Sequence, residues 1–326
     1  MQMNAVLPVV ITRLSFSASV AVGLGLMGSC GSDSGDIPLV NGSGGTAAVG
    51  TSTAASALLA QGRAYQSAGN TRKALSTYKA ITKNYPNSVS AGEASFAEAQ
   101  ILDKQGDLFK AFEAYQELIA RHQASPHYST ALKRQEAVAH AAANGVIKNN
   151  FLGMKTRISP DKVEKMLGQI RNNAPQAPSA SKAQYTIGRV WQKEGVADKS
   201  LAAYRKVGLD YPSSAYAPEA LYQTGEILVI KAERGNQNKA NVNRARDIYK
   251  DLLQRYPSHK RAADARRRLA LLGGQDVQRS YDTAEFYRKK GQNQSALFYY
   301  REVTNKTKSG TLYNQAKRRI AELGGQ

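Results

Sequence analysis

Small and apolar residues return along this chain at helical spacing, in blocks that come in pairs. In Gln61–Pro86, Gly62 and Tyr65 share one helical face and Gly69–Asn70 interrupts the pattern. Ala74, Tyr78 and Ile81 then follow at i, i+4 and i+7 before Tyr85–Pro86. This predicts two helices joined by a turn, the second stopped at the proline. Small Gly62 and Ala74 let the helices approach, and Tyr65, Tyr78 and Ile81 fill the space beside them. One such pair has too little interior to bury its apolar face, so it needs copies stacked against it.

The copies are present. Ala99, Leu102, Gly106, Ala111, Tyr115 and Leu118 repeat the spacing 37 residues on, and Gly188, Trp191, Gly195, Ser200, Tyr204, Val207 and Pro212 repeat it again. Gly225 and Leu228 open a further copy that Ala245, Tyr249, Leu252 and Pro257 complete. Ala284, Tyr287, Gly291, Ala296, Tyr300 and Val303 make the last. This order of small, aromatic, Gly, Ala, Tyr and Pro positions resembles the tetratricopeptide repeat, whose period is about 34 residues. The resemblance implies an all-α fold, a right-handed superhelical solenoid of about five to six helical hairpins.

Between the clear copies the pattern loosens. Ala131–Ala143 reads as a helix ended by Asn144–Gly145. Ser159–Pro160–Asp161 opens another, with Ser159 as N-cap, Pro160 at the first helical position, and Val163, Leu167 and Ile170 as its apolar stripe. We expect a degenerate third hairpin here, with Val146–Ile158 as its internal loop. Ala232–Asn243 is polar and reads as a loop. Ala262–Leu272 reads as a helix that stops at Gly273–Gly274. Tyr313–Leu323 reads as a closing helix whose outer side carries Lys317, Arg318 and Arg319, since the end of an array must be polar.

The N-terminal segment differs in kind. Arg13 is its one charge and Leu14–Met27 is an apolar run with small residues interspersed. That run is shorter than the ~20 residues needed to cross a bilayer, which predicts a cleaved export signal over residues 1–29. It ends Leu26-Met27-Gly28-Ser29-Cys30, which resembles the lipobox of bacterial lipoproteins. The resemblance implies cleavage before Cys30, acylation of that residue, and an anchor in the outer membrane on its periplasmic face. Residues 30–53, rich in Gly, Ser and Thr, then read as the lipidated Cys and a flexible tether. The repeats divide into an N-terminal set, 54–180, and a C-terminal set with its basic closing helix, 181–326.

Composition narrows the chemistry. One Cys in 326 residues excludes an internal disulfide and a Cys-based zinc site. The four His are scattered without metal-ligand spacing. No GxxxxGK[ST], GxSxG or HExxH motif occurs, the glycines of Gly23-Leu24-Gly25-Leu26-Met27-Gly28 belong to the export signal, and no carboxylate pair is singled out. We therefore expect no catalysis, cofactor or metal. The net charge of +20 is uneven: residues 231–326 hold 22 Lys/Arg against 9 Asp/Glu. Such a surface attracts polyanions. Export makes nucleic acid an unexpected partner and leaves acidic headgroups as the fitting one.

Two segments carry a narrower likeness. Ala245-Arg246-Asp247-Ile248-Tyr249-Lys250-Asp251-Leu252-Leu253-Gln254-Arg255-Tyr256-Pro257 and Tyr281-Asp282-Thr283-Ala284-Glu285-Phe286-Tyr287-Arg288-Lys289-Lys290-Gly291 resemble the BamD family. The Tyr-Pro endings at Tyr85–Ser88, Tyr211–Ser214 and Tyr256–Ser258 are similar to it as well, so the likeness extends over Ala54–Val303. It implies an outer-membrane-anchored periplasmic scaffold of the β-barrel assembly machinery. Its partners would be a BamA-like barrel protein and unfolded outer-membrane protein clients. The alternative is another envelope repeat adaptor, such as one coordinating cell-wall synthesis with constriction. In either case exposed polar residues on the inner helices are the candidate contacts: Gln61, Gln66, Arg72 and Lys73 in the first copy. Two cationic runs join them, Arg266, Arg267 and Arg268, and Arg288, Lys289 and Lys290.

Overall fold

The spacing of apolar positions produces thirteen helices in a computed structural model that describes residues 44–145, 150–151, 154–155, 157–235 and 238–324. The expected signal, Cys30 and most of the expected tether lie outside the described residues. The first hairpin is α1 (Gly44–Ser67) with α2 (Thr71–Asn84), and the second is α3 (Val89–Gln105) with α4 (Leu108–Arg121). The third is α5 (Tyr128–Ala143) with α6 (Pro160–Asn173), and the fourth is α7 (Pro178–Lys193) with α8 (Ala197–Asp210). The fifth is α9 (Tyr216–Arg234) with α10 (Lys239–Arg255). The long α11 (Lys260–Lys289) leads into α12 (Asn293–Lys306), and α13 (Thr311–Glu322) closes the array. From α2 onward each helix packs on the next, α1 joins α2 in one core cluster, and α5 meets α7, α7 meets α9 and α9 meets α11. This is a helical repeat solenoid within the compact unit Gly45–Gln326.

The turns are chemically alike. Gly69, Gly106, Gly195 and Gly291 have φ between 72° and 76°, the left-handed region that glycine enters freely. After each, the next residue's N–H bonds a carbonyl five residues back: Asn70 to Tyr65, Asp107 to Leu102, Val196 to Trp191 and Gln292 to Tyr287. These are Schellman turns, which satisfy the carbonyls left open at a helix end. Asn70 and Asp107 then cap the following helix by accepting from the N–H of Lys73 and Lys110.

Close approach is set by Gly–Tyr pairs. A Cβ on Gly62, Gly188 or Gly225 would fall 2.4–2.5 Å from the ring of Tyr78, Tyr204 or Tyr249. Only a residue without a side chain lets the ring of the second helix lie flat on the first. These three second-helix tyrosines are buried, and so are Tyr115 and Tyr300, five in all. In four copies a second aromatic lies three residues before the small position. Phe96, Tyr185, Tyr222 and Tyr281 pack on Tyr115, Tyr204, Tyr249 and Tyr300 with ring centroids 5.4–6.2 Å apart.

The third hairpin reaches the same packing differently. Seven residues before its turn glycine, Gly145, stands Val138 where other copies have Gly or Ala, and Leu167 takes the tyrosine's place. Gln135 occupies the aromatic position and is buried in a triangle of amides. Its Nε2 donates to Gln116 at 2.7 Å, and Asn173 Nδ2 donates to Gln135 at 3.0 Å and to Gln116 at 2.8 Å. Ser159 sits at the N-cap of α6 but makes no capping bond, and Pro160 at the first position has no N–H to satisfy.

Four expectations need correction. The largest is at Gly273–Gly274, where α11 runs straight through for 30 residues. Each glycine costs a helix interior about 1 kcal/mol. Leu272 and Val277 offset that by packing into the cores on either side. Arg246 also clasps the turn, donating to the Leu272 carbonyl at 2.9 Å and pairing with Asp276. The polar segment Ala232–Asn243 is largely helical: α9 runs on to Arg234, and α10 begins at Lys239 because Asn238 caps it at the N–H groups of Ala240 and Asn241. The loop Val146–Ile158 contains a short antiparallel pair, β1 (Asn150–Phe151) with β2 (Met154–Lys155). The helix α1 begins at Gly44, nine residues before the tether's expected end, continuing the helix that buried Ala55 and Leu59 fix.

Candidate functional site

The face built by successive first helices carries an ordered polar ladder. Each buried tyrosine passes its hydroxyl across to a polar side chain of the first helix. Tyr78 donates to Gln66 at 2.7 Å, Tyr204 to Gln192 at 2.6 Å and Tyr249 to Glu226 at 2.6 Å. Tyr115 reaches Asp103 at 3.4 Å, and Tyr300 reaches Glu285. Burial, reinforced by the Asp103 carboxylate, pushes the Tyr115 phenol up to about 12. Burial also raises Tyr204 and Tyr249, so these hydroxyls stay protonated donors.

Four of these first-helix residues also reach the element that follows their hairpin. Arg134 donates to Asp103 at 3.0 Å, and Gln192 donates to Gln223 at 2.8 Å. Arg268 pairs with Glu226, and Arg319 lies 3.3 Å from Glu285. Burial works to raise the Glu285 carboxyl, but hydrogen bonds from Arg288 and Tyr300 and the charges of Arg288 and Arg319 hold it at about 2. A surface whose polar groups are already fixed loses little freedom when a partner arrives.

Two clefts open on this face. One, of about 490 Å³, lies between α1, α3 and the start of α5, with Arg63, Gln66, Glu93, Phe96, Gln100 and His127 in its walls. His127 stacks on Phe96 at 4.1 Å and contacts Glu93 at 3.2 Å, and Arg63 donates to Glu93 at 3.0 Å. The other, of about 410 Å³, lies between α5, α7 and α9. Arg189 and Lys193 project there as exposed cations, beside Tyr185, Gln192 and Gln223.

The sequence-derived candidates separate on this frame. Gln66 lines the first cleft while holding Tyr78, and Gln61 reaches Tyr65 at 3.4 Å. Lys73 lies 5.5 Å over the Tyr65 ring, and Arg72 is exposed. The run Arg266–Arg268 is dispersed, because consecutive helical residues point about 100° apart. Arg268 pairs with Glu226 and Arg267 with Asp264, which leaves Arg266 exposed. In the second run Arg288 is held by Glu285, Lys289 is exposed, and Lys290 lies 5.8 Å over Phe286.

The sequence reading missed Arg189, Lys193 and Phe96. Phe96 was findable, since an aromatic stands three residues before the small position in four copies. The two cations carried no signal, because which faces meet is a property of the stack. Among the described residues no cluster could hold a metal, and no helix is long and apolar enough to cross a membrane.

The fold and its repeated turns define a tetratricopeptide-repeat protein, and residues 56–88 and 93–125 match the tetratricopeptide repeat model. Residues 161–318, just under half of the chain, match a family described as outer membrane lipoprotein. The chain is BamD-like, and both matched families are non-enzymatic scaffold or adaptor proteins. No curated protein matches it significantly. Similar solved structures include the MamA protein, at 17% identity and a TM-score of 0.32 over 64% of this chain and 94% of that one. The P58(IPK) TPR domain follows at 15% and 0.33, over 82% and 78%. Pseudomonas aeruginosa pilF stands at 13% and 0.28, over 82% and 99%. At these scores the likenesses carry no argument about function.

Proposed function

We propose that this protein is an outer-membrane-anchored scaffold of β-barrel assembly, tethered through lipid on Cys30 and facing the periplasm. The N-terminal hairpins hold extended segments of unfolded barrel clients along the first-helix face, and the C-terminal hairpins dock a BamA-like barrel protein. The observation that carries this is the pair of clefts beside a pre-ordered polar ladder, in a chain whose residues 161–318 match the outer membrane lipoprotein family. An extended peptide suits such a face, since its own backbone groups seek partners and aromatic walls take its side chains. Of the earlier candidates, Gln61, Gln66, Arg72 and Lys73 belong to the client end. Arg266 belongs to the partner end.

Photo-crosslinkers placed at Gln66 and Arg189 in cells test the reading. Unfolded barrel chains should be captured there, and depletion of the protein should lower outer-membrane barrel levels several-fold. Capture of cell-wall enzymes instead, with barrel levels unchanged, would replace assembly by an envelope-constriction role.

A further inference from the structure

The last hairpin exposes aromatic rings that the packing does not use. Phe286 on α11 and Phe298 on α12 are 55% and 65% exposed. They are the ends of a strip of four rings. Phe286 meets Tyr287 at 5.5 Å, Tyr287 stacks on Tyr299 at 5.5 Å with an interplanar angle of 6°, and Tyr299 meets Phe298 at 5.2 Å. A phenyl ring has no polar handle, so two of them in water mark a surface with another destination.

Cations surround the strip. Lys289 and Lys290 follow Phe286 at i+3 and i+4 on the same helical face, both exposed. Beside Phe298 opens a cleft of about 350 Å³ between α10, α11 and α12. It presents Lys239, Arg246, Arg279 and Lys306 against two carboxylates, Asp276 and Glu302. Both carboxylates are already engaged, Asp276 by Arg246 and Arg279, and Glu302 by Lys306 at 2.7 Å. Lys239 is exposed, and four cations against two carboxylates leave the cleft a positive surplus. One further carboxylate, Asp282, lies a turn before Phe286 and accepts from Gln278.

We propose that this hairpin is a second membrane contact, in addition to any anchor at Cys30. Phe286 and Phe298 enter the interfacial layer of a bilayer, and the cleft beside Phe298 receives the phosphate of an anionic phospholipid. Aromatic rings with flanking lysines are the composition of a membrane–water boundary. The charge excess of residues 231–326, 22 cations against 9 carboxylates, supplies attraction to a negatively charged surface without demanding one fitted partner. The occupant is thus a lipid surface, and an acidic protein segment is the competing outcome.

The test uses the full chain carrying Phe298→Trp, with vesicles of brominated phosphatidylglycerol or brominated phosphatidylcholine. Trp191, the chain's one native Trp and 5% exposed, is measured separately in the parent protein as background. We expect emission to shift to the blue and to be quenched several-fold more on phosphatidylglycerol. Adding Lys239→Gln, Lys289→Gln and Lys290→Gln should remove most of that difference, as should raising the salt. A lipid anchor would bring the chain to both kinds of vesicle, so the difference between them reports the hairpin alone. Equal quenching on both, or none, overturns the proposal. So does a shift produced by polyglutamate without vesicles, which would assign the strip to an acidic protein. Failure here leaves barrel levels and client capture untouched, so the assembly reading stands or falls separately.

Discussion

The third and fourth hairpins share one scaffold yet fill its central contact with different residues. The fourth uses Gly188, Tyr204 and Tyr185, and the third uses Val138, Leu167 and Gln135 at the matching places. Gly188 is compulsory where Tyr204 stands, since a Cβ would lie 2.4 Å from its ring. Val138 and Leu167 both reach full burial in one core cluster without that constraint. The fold therefore fixes the combined volume at the contact and leaves open which helix supplies it. The polar cost of dropping the aromatic pair falls on Gln135, which must be hydrogen-bonded because it is buried.

The sharpest way to break this comparison is Gly188→Val. The added side chain meets the buried Tyr204 ring, and we expect a loss of about 3 kcal/mol, read as a lower urea midpoint. Adding Tyr204→Leu installs the third hairpin's solution in the fourth and should restore more than half of that loss. The two changes then couple strongly, as residues in contact do. If the double variant is as unstable as the two losses added together, shared volume is not what relates the two hairpins.

Asn173→Ala attacks the other side. It removes the donor that satisfies the Gln135 and Gln116 carbonyl oxygens, at 3.0 Å and 2.8 Å. A buried acceptor left unpaired costs roughly 2 kcal/mol. The loss should show as faster amide exchange confined first to α5 and α6. No such change would mean that the triangle is incidental to the third hairpin's packing.

Much of this was legible in the chain before folding. Gly62, Gly188, Gly225 and the five tyrosines announce hairpins because their spacing carries the packing rule with it. The third hairpin was harder to read, because Val138 and Leu167 obey that rule in volume and break it in residue type. Gly273–Gly274 misled for a related reason. Glycine marks a stop only when nothing outside the helix compensates, and here Arg246, 26 residues before Leu272, does so. The cationic runs misled through periodicity: neighbours in sequence on a helix diverge, so Arg266, Arg267 and Arg268 acquire different partners. Clefts such as that at Arg189 and Lys193 arise from three helices at once, and no local pattern encodes them.

The seam between the two hairpins adds the smallest and most selective effect. His140 on α5 faces Thr186 and Lys182 of α7, with Glu136 on its own helix and Arg189 nearby. Its Nε2 has no hydrogen-bond partner. Burial first, and then the Lys182 charge, hold the imidazole down to about 4, against an ordinary value of 6.5, although Glu136 pulls the other way. Between those two values the unfolded chain binds a proton that the folded chain refuses. Stability at this site is therefore full above pH 6.5, declines as pH falls through the window, and levels off below about 4. We expect roughly 1 kcal/mol to be lost between pH 7 and pH 5, after allowance for solvent at the rim. His140→Gln should flatten that slope while leaving stability above pH 7 nearly unchanged. Glu285 acts in the same direction but lower, losing its contribution only as pH falls from about 4.5 toward 2, so it leaves the higher window clear. A pH profile of urea midpoints that is identical in parent and His140→Gln would place the histidine outside the stacked seam, and with it the close contact of the third and fourth hairpins on which the comparison rests.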